Sequence, residues 1–309
     1  YERQRWYWFF IRARAVVLEC GGYCGIYALS TNKPDSGGDG IAMAYHAGAA
    51  LCDLEFVQYE PSVAVWPESL LGISMITTLF YEGAVLRNRD GERFMLRYGR
   101  EAERVGKDVL SRCIANEIAL GNGTEHGGVY FDVTGVDRRR LEKDYAIYME
   151  RYKAVGIDLA SQYIELAPAP HTSLGGVQVD DGARASLPGL FACGEIIGGL
   201  HGANRIGGNA GLETLVFGKR AGQSAAGYAR QVSLPEGQCP GMPEYGGDAG
   251  ASRLRQLRKA MQETLEQKVG LVRCGTKLEQ AAEDLSAYDA QAGLLQGQDV
   301  PDVAGDAVL

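Results

Sequence analysis

The sequence has no long apolar run and no block of basic residues. No stretch of about 18 apolar residues occurs, so no membrane-spanning helix is predicted. The net charge is -8, and the longest basic run, Arg138-Arg139-Arg140, lies beside acidic residues. Nucleic acid is therefore not expected as a partner, because binding it requires a basic surface.

Paired cysteines and a leader sequence are also missing. The seven cysteines form no CxxC pair, which favours neither a disulfide framework nor a zinc or iron–sulfur site. We therefore predict reduced thiols, no metal site and a cytoplasmic protein. Residues 1–10 are aromatic and basic, without the apolar core of a signal peptide, and the chain has no start Met. It is accordingly expected to be a fragment.

What is present is an ordinary globular composition of about two domains' length. The apolar run at residues 13–18 predicts a buried strand. Helical spacing from Ile41 predicts a helix whose N-terminus is suited to an anion. Residues 54–59 predict the next strand, which Glu60-Pro61 is expected to end.

The middle of the chain has a different character. Turns, helices at residues 107–120 and 137–154, and a strand at 129–133 indicate an inserted domain. Glycine-rich β/α texture returns at His171, with a strand near 190–192 and a helix at 212–230. Then come a Pro/Gly linker at 231–250, helical spacing at 252–270, and a polar tail after Gln291 that is expected to fray.

The most informative stretch is GEIIGGLHGANRIGGNAG, residues 194–211, which contains seven glycines. Glycine lets backbone amides approach a ligand closely, and the helix that follows adds its N-terminal amides. The polar residues between the glycines are Glu195, His201, Asn204, Arg205 and Asn209. They suit hydroxyls, carbonyls and an anion, which predicts a bulky ligand with a polyol chain and an anionic end.

This stretch resembles the C-terminal FAD signature of the fumarate reductase/succinate dehydrogenase flavoprotein family, which includes L-aspartate oxidase. Four further segments resemble family motifs in the same order: residues 36–61, KDVLSR at 107–112, HTSLGGV at 171–177 and PGLFACGE at 188–195. Together the matches extend over roughly residues 12–225. Such collinearity is far more specific than any one motif.

The resemblance implies an α/β protein with a layered FAD-binding domain of the Rossmann-like, glutathione-reductase type. This domain would comprise residues 1–60 and 169–230, around an inserted α+β capping domain at 61–168 and before a linker and helical region at 231–309. It also implies FAD as cofactor. The implied FAD-lining residues are Gly21, Gly22, Thr31, Asn32, Asp39, Gly194, Glu195, Asn204, Gly208, Asn209 and Leu212.

The family resemblance further implies three catalytic residues. Arg205 would hold a substrate carboxylate, because its fork matches a carboxylate bidentately. His171 would hydrogen-bond the other end of the substrate, and Lys107 would be the proton shuttle. A small carboxylate and an electron-transfer partner subunit are the implied partners.

The sequence departs from the family pattern in the substrate pocket. Lys107 stands where the family has an arginine, and Glu60 stands where dicarboxylate enzymes have a histidine. A carboxylate at position 60 is expected to repel a dicarboxylate. Residues 77–84 also lack the acid and arginine of the family's TEGxRGEG motif. Classical fumarate reduction is therefore less favoured than the overall match implies.

Several alternatives stay open. The substrate would be less acidic if the protein is an L-aspartate-like oxidase or another FAD dehydrogenase, in which Glu60 meets an ammonium group. A further alternative is a flavin-binding scaffold that has lost catalysis, or an inactive fragment. No GxGxxG turn for the ADP pyrophosphate occurs in residues 1–60, so the chain is expected to purify without stoichiometric FAD.

Overall fold

The structure, a computed structural model, describes residues 10–236 and 251–296. The opening aromatic residues, most of the predicted linker, Cys239 and the last residues of the tail lie outside these ranges. The strands are β1 (Val16–Leu18), β2 (Leu51–Cys52), β3 (Val57–Trp66), β4 (Val85–Arg87), β5 (Val129–Asp132), β6 (Ile164–Ser173), β7 (Gly176–Gln178), β8 (Leu190–Ala192) and β9 (Ile197–Gly198). The helices are α1 (Asp39–His46), α2 (Lys107–Glu117), α3 (Arg138–Asp144), α4 (Ala146–Lys153), α5 (Asn209–Gln231), α6 (Ala251–Lys268) and α7 (Gly275–Gln296).

The largest sheet is antiparallel, with strand order β3-β6-β5-β4. Its apolar side chains form the main core, in which Leu86, Phe131 and Leu166 are fully buried. Helix α2 packs on β3 and β6, and α3 and α4 contribute Leu141 and Tyr152 to the same core. A β-sheet covered by helices on one side is the α+β arrangement predicted for the insert.

The prediction that Glu60-Pro61 ends a strand is wrong, because β3 continues to Trp66. Pro61 lies in a register shift, where Glu60 pairs with Ala169 and the next paired residue of β3 is Val63. A bulge tolerates proline because no amide is needed there. The predicted domain limits at 60/61 and 168/169 fall inside β3 and β6, and these limits stay a prediction.

The two smaller sheets carry the glycine-rich turns. Strand β1 pairs in parallel with β8, while β7 pairs antiparallel with β2 and parallel with β9. Helix α1, which the spacing predicted, buries Ile41 and Ala44 against this unit. The prediction that residues 13–18 form a buried strand is only partly right. The strand is Val16–Leu18, and its valines are exposed because, among the described residues, only β8 pairs with it.

The predicted helix at residues 137–154 is two helices. Asp137 caps α3 by accepting a hydrogen bond from the Arg140 amide, at 3.0 Å. Tyr145 then leaves helical geometry, with φ -126° and ψ 23°, while its ring is buried in the core. The helix is therefore interrupted at the residue whose aromatic ring is buried in the core.

Helices α6 and α7 pack together near the carboxyl end of the described residues. The buried residues of α6, Leu254, Leu257, Met261 and Leu265, recur at helical spacing, as the sequence predicted. Helix α6 also contacts the turn after β1, where Glu266 accepts a 2.8 Å hydrogen bond from the Leu29 amide. No helix in residues 10–236 and 251–296 is long and apolar enough to cross a membrane.

Candidate active site

The glycine-rich turns lie at one edge of the parallel pair formed by β1 and β8. Since parallel strands end at the same edge, Gly21 and Gly22 come close to Gly194 and Glu195. Gly208 is the N-cap of α5, with φ 87°, and a Cβ there would meet nothing within 4 Å. The first amides of α5 therefore face open space, which suits an anionic ligand group.

Glu195 is held in one orientation by neighbours on β6 and on the loop after β1. Its Oε1 accepts hydrogen bonds from the Ser173 amide at 2.9 Å, from Ser173 Oγ at 3.0 Å and from Asn32 Nδ2 at 3.5 Å. Its Oε2 accepts no hydrogen bond from the described residues. A carboxylate with one oxygen fixed and the other available suits the hydroxyls of a ribityl or ribose chain. The site therefore fits FAD.

Gly22 makes this arrangement possible. A Cβ at position 22 would lie 2.0 Å from Ser173 Oγ and 2.4 Å from Glu195 Oε1. Only glycine leaves room for the Glu195 carboxylate in this position. The sequence marked Gly22 as a cofactor residue by resemblance, but it did not show Ser173 as the anchor of Glu195.

His171 lies in a bulge of β6, because Gln58 pairs with Thr172 and Tyr59 pairs with Pro170. Bulges beside active sites redirect a side chain. Its Nδ1 is 2.8 Å from Thr31 Oγ1. Thr31, predicted to line the cofactor, thus also orients His171.

The charge state of His171 follows from its surroundings. Burial is the main cause that lowers the pKa of the imidazole below its ordinary value, and Glu60 opposes the shift. The positive charges of Lys107 and Arg205 lower the pKa further, while Glu195 raises it. The net direction is downward, so His171 is neutral at pH 7 and acts as a hydrogen-bonding group.

Hydrogen bonds hold both the backbone carbonyl of Arg205 and one nitrogen of its guanidinium group. Gln58 Nε2 donates to the Arg205 carbonyl at 2.8 Å and to Asn204 Oδ1 at 3.2 Å. Arg205 Nη2 donates to Thr172 Oγ1 at 3.4 Å. Its buried Nε has no hydrogen-bond partner among the described residues. A buried guanidinium donor without an acceptor suits an anion such as a substrate carboxylate.

Lys107 forms an ion pair with Glu60, which the sequence did not predict. Lys107 is the first residue of α2, where a cation is unfavourable beside the positive helix end. Glu60 offsets this: its Oε2 accepts a hydrogen bond from Lys107 Nζ, and its Oε1 accepts one from Ser62 at 3.1 Å. The Glu60 side chain is 3% exposed and that of Lys107 is 46% exposed. The expectation of an uncompensated, repelling carboxylate at Glu60 therefore needs correction, because Lys107 neutralises it.

The remaining predicted cofactor residues are more dispersed. Asn209 begins α5, and Leu212 lies in its first turn with 60% of its surface exposed. Asp39 is the first residue of α1 and follows Gly38, the N-cap of that helix. The Asp39 carboxylate makes no hydrogen bond to another predicted site residue within the described ranges. His201, which had no assigned role, bonds Glu213 of α5 through Nε2 at 2.6 Å and ties the glycine-rich turn to that helix.

Comparisons with known proteins agree with this geometry. The profile of a family described as FAD binding domain matches residues 3–210. One subunit of the fumarate reductase (CoM/CoB) of Methanothermobacter marburgensis is 40% identical over 300 residues, which cover 95% of this chain and 54% of that protein. L-aspartate oxidase of Caulobacter vibrioides is 37% identical over 252 residues, covering 81% and 47%.

A solved structure gives the same result. A variant of FrdA from the E. coli quinol fumarate reductase superposes with a TM-score of 0.79 at 28% identity, over 95% of this chain and 54% of that one. The chain spans about half the length of the curated relatives it matches. Because the family profile covers most of the chain and its relatives align over nearly all of it, this chain belongs to the FAD-dependent oxidoreductases of the fumarate reductase/succinate dehydrogenase flavoprotein family.

Proposed function

We propose that the complete protein transfers a hydride between FAD and a small carboxylate-bearing substrate. The substrate is held beneath the four-stranded sheet β3-β6-β5-β4, which we call the cap sheet. The observation that carries this proposal is that the β3–β6 pair brings Lys107, His171 and Arg205 together. Arg205 bonds Thr172, the neighbour of His171, and Lys107 pairs with Glu60, which lies opposite Ala169. An anion-binding arginine, a neutral histidine and a lysine next to a cofactor carboxylate form a set suited to this reaction.

Each side chain has a distinct task in this proposal. Arg205 binds the substrate carboxylate, with its buried Nε supplying one donor. His171, fixed by Thr31, hydrogen-bonds the other end of the substrate. When bound, FAD supplies the hydride chemistry. Lys107 gives a proton to the substrate carbon next to the one that receives the hydride, and its exposed side chain recovers a proton from water.

We further propose that electrons reach the FAD from another polypeptide of a complex. The relative from M. marburgensis is itself named as one subunit of a fumarate reductase. The alternative, an amino-acid oxidase, has support from the L-aspartate oxidase relative. In that alternative Glu60 would bind the substrate ammonium group. We favour the first function, because Glu60 already forms an ion pair with Lys107.

The test uses the complete protein loaded with FAD and reduced in the absence of oxygen. Addition of fumarate or crotonate is expected to restore the absorbance of oxidised flavin. Lys107→Met should slow this step by roughly a hundred- to ten-thousand-fold without loss of FAD, which is the usual effect of removing a general acid. Lys143→Met, an exposed lysine on α3, is the matched control and should keep the wild-type rate.

Two outcomes would overturn the proposal. Flavin that neither carboxylate reoxidises, but that L-aspartate reduces from the oxidised form, would establish the amino-acid oxidase. Flavin that responds to none of the three compounds would establish a scaffold protein without catalysis. A Lys107→Met variant with near wild-type reoxidation would remove Lys107 from the role of proton donor.

A further inference from the structure

The charges around His171 limit which substrates the site can bind. The charged groups that act most strongly on this imidazole are the cations Lys107 and Arg205 and the carboxylates Glu60 and Glu195. Lys107 pairs with Glu60, and Arg205 bonds Thr172, the neighbour of His171. Glu195 faces the cofactor side, where its free oxygen suits hydroxyl donors. The substrate side therefore contains Lys107, Arg205 and Glu60, which together carry one net positive charge.

Lys107 does not provide a free positive charge for a substrate. Its ammonium group is paired with Glu60, whose side chain is 3% exposed and also accepts a hydrogen bond from Ser62. Drawing Lys107 toward a second substrate carboxylate would strand a buried anion, which is strongly unfavourable.

Arg205 differs from Lys107 because its guanidinium group has no acidic partner among the described residues. No carboxylate of the described residues pairs with it, and its buried Nε has no acceptor. Among the described groups around His171, it is the one cation that can accept a substrate carboxylate without breaking an ion pair. The same site also offers the uncharged His171 ring and the hydroxyl of Thr31, whereas the hydroxyl of Thr172 accepts a hydrogen bond from Arg205.

We propose that the site selects a substrate with one carboxylate and an uncharged far end, a 2-enoate or its saturated counterpart, over a dicarboxylate. Glu60 is the specificity-determining residue, because it neutralises the lysine that would otherwise bind a second carboxylate. This inference rests on the function proposed above and names the substrate class of that site.

The first measurement needs no variant. Binding of butyrate and of succinate to the oxidised, FAD-loaded complete protein is measured by calorimetry, and kcat/KM is compared for crotonate and fumarate. The wild type is expected to bind butyrate at least about tenfold more tightly than succinate, since each factor of ten requires only about 1.4 kcal/mol. Crotonate should be preferred over fumarate by a similar factor.

The second measurement uses Glu60→Gln. This change keeps the shape of the side chain but leaves Lys107 unpaired, so the preference should shift toward succinate and fumarate by about tenfold or more. Glu103→Gln is the matched control: Glu103 is also buried and paired with an arginine, Arg93, but it lies within the cap core. This control should leave the butyrate-to-succinate ratio unchanged.

The outcomes separate the two proposals. If the wild type prefers fumarate and succinate, or if Glu60→Gln leaves the ratio unchanged, the inference about substrate class is wrong while the proposed function stands. If neither unsaturated acid is reduced and neither saturated acid binds, the proposed function itself fails. If Glu60→Gln does not fold, the wild-type ratios still decide the substrate class.

Discussion

Replacement of Gly22 by alanine is the sharpest test of the cofactor site. The added Cβ would lie 2.0 Å from Ser173 Oγ, 2.4 Å from Glu195 Oε1 and 2.8 Å from Glu195 Cδ. Normal contacts between such atoms are about 3.4 Å or more. Moving Glu195 alone does not relieve the clash with Ser173 Oγ, so the buried Ser173 hydroxyl or the backbone at position 22 must shift together with the Glu195 carboxylate.

The size of the effect differs between folding and binding. Introducing one methyl group into a packed site typically costs about 1–3 kcal/mol. The displaced carboxylate loses its fixed geometry toward the cofactor, and a hydrogen bond to a charged group is worth about 1.5–3 kcal/mol. This range corresponds to about a 10- to 150-fold increase in the Kd for FAD.

The assay is titration of FAD into the complete apoprotein, followed by flavin fluorescence, together with thermal unfolding of the apoprotein. Gly22→Ala should weaken FAD binding within the stated range while lowering Tm by a few degrees. Gly222→Ala, within α5, is the control, because a Cβ there meets nothing within 4 Å. It should leave FAD binding unchanged and stabilise the helix by about 0.5–1 kcal/mol. If Gly22→Ala binds FAD within twofold of wild type, Glu195 does not hold the cofactor as described.

Three further predictions test the core, the charge state of His171 and the thiols. Phe131→Ala removes a fully buried ring from the main core beside the four-stranded sheet. It should lower the free energy of unfolding, measured by urea titration, by about 3–5 kcal/mol. A loss below about 1 kcal/mol would contradict that packing. Because the pKa of His171 is lower in the folded state than its ordinary 6.5, the unfolded state binds more protons and stability should fall as the pH drops below about 6.5. His171→Gln should flatten this dependence in thermal unfolding between pH 7.5 and 5, whereas the exposed His46→Gln should not. Iodoacetamide should modify the exposed Cys20 in the native protein but should reach Cys193 only on unfolding. The reason is that Cys193 is buried, and burial raises its thiol pKa to about 12. Equal labelling of the two cysteines would refute the packing around β8.

The elements with local signals were predictable from the sequence. The α2 helix begins at Lys107 as predicted, and α1 and α5 follow glycines that act as left-handed N-caps. Such starts depend on residues within one turn of the helix, so the sequence alone contains the information. The same holds for β5, a short run of apolar residues bounded by turns.

Contacts between distant residues were not predictable in this way. Glu60 and Lys107 are 47 residues apart, and Thr31 and His171 are 140 apart. The first pair depends on the packing of α2 against β3, and the second depends on the contact between the loop after β1 and β6. Neither contact is visible in the sequence. The sequence therefore shows Glu60 as an isolated charge, whereas the fold brings Lys107 next to it.

Two of the three register shifts in the β3–β6 pair lie beside the catalytic side chains. One bulge contains His171, and the other contains Pro61 and Ser62, so Glu60 lies between them. Both occur where β6 pairs only with β3, since β5 reaches only residues Ile164 to Leu166. A strand paired on one side can accommodate extra residues and prolines without losing a second ladder.

The same strand pair also links the cap to the cofactor turn. Gln58, at the start of β3, holds both the Arg205 carbonyl and the Asn204 side chain. The arginine that would bind substrate is thus positioned by the cap sheet and not by α5 alone. Further along the same strand, Val63 and Ala64 are fully buried. Because Gln58 and Glu60 belong to one strand, β3 holds both the backbone of Arg205 and the ammonium group of Lys107, and it thereby fixes the distance between the two cations of the site.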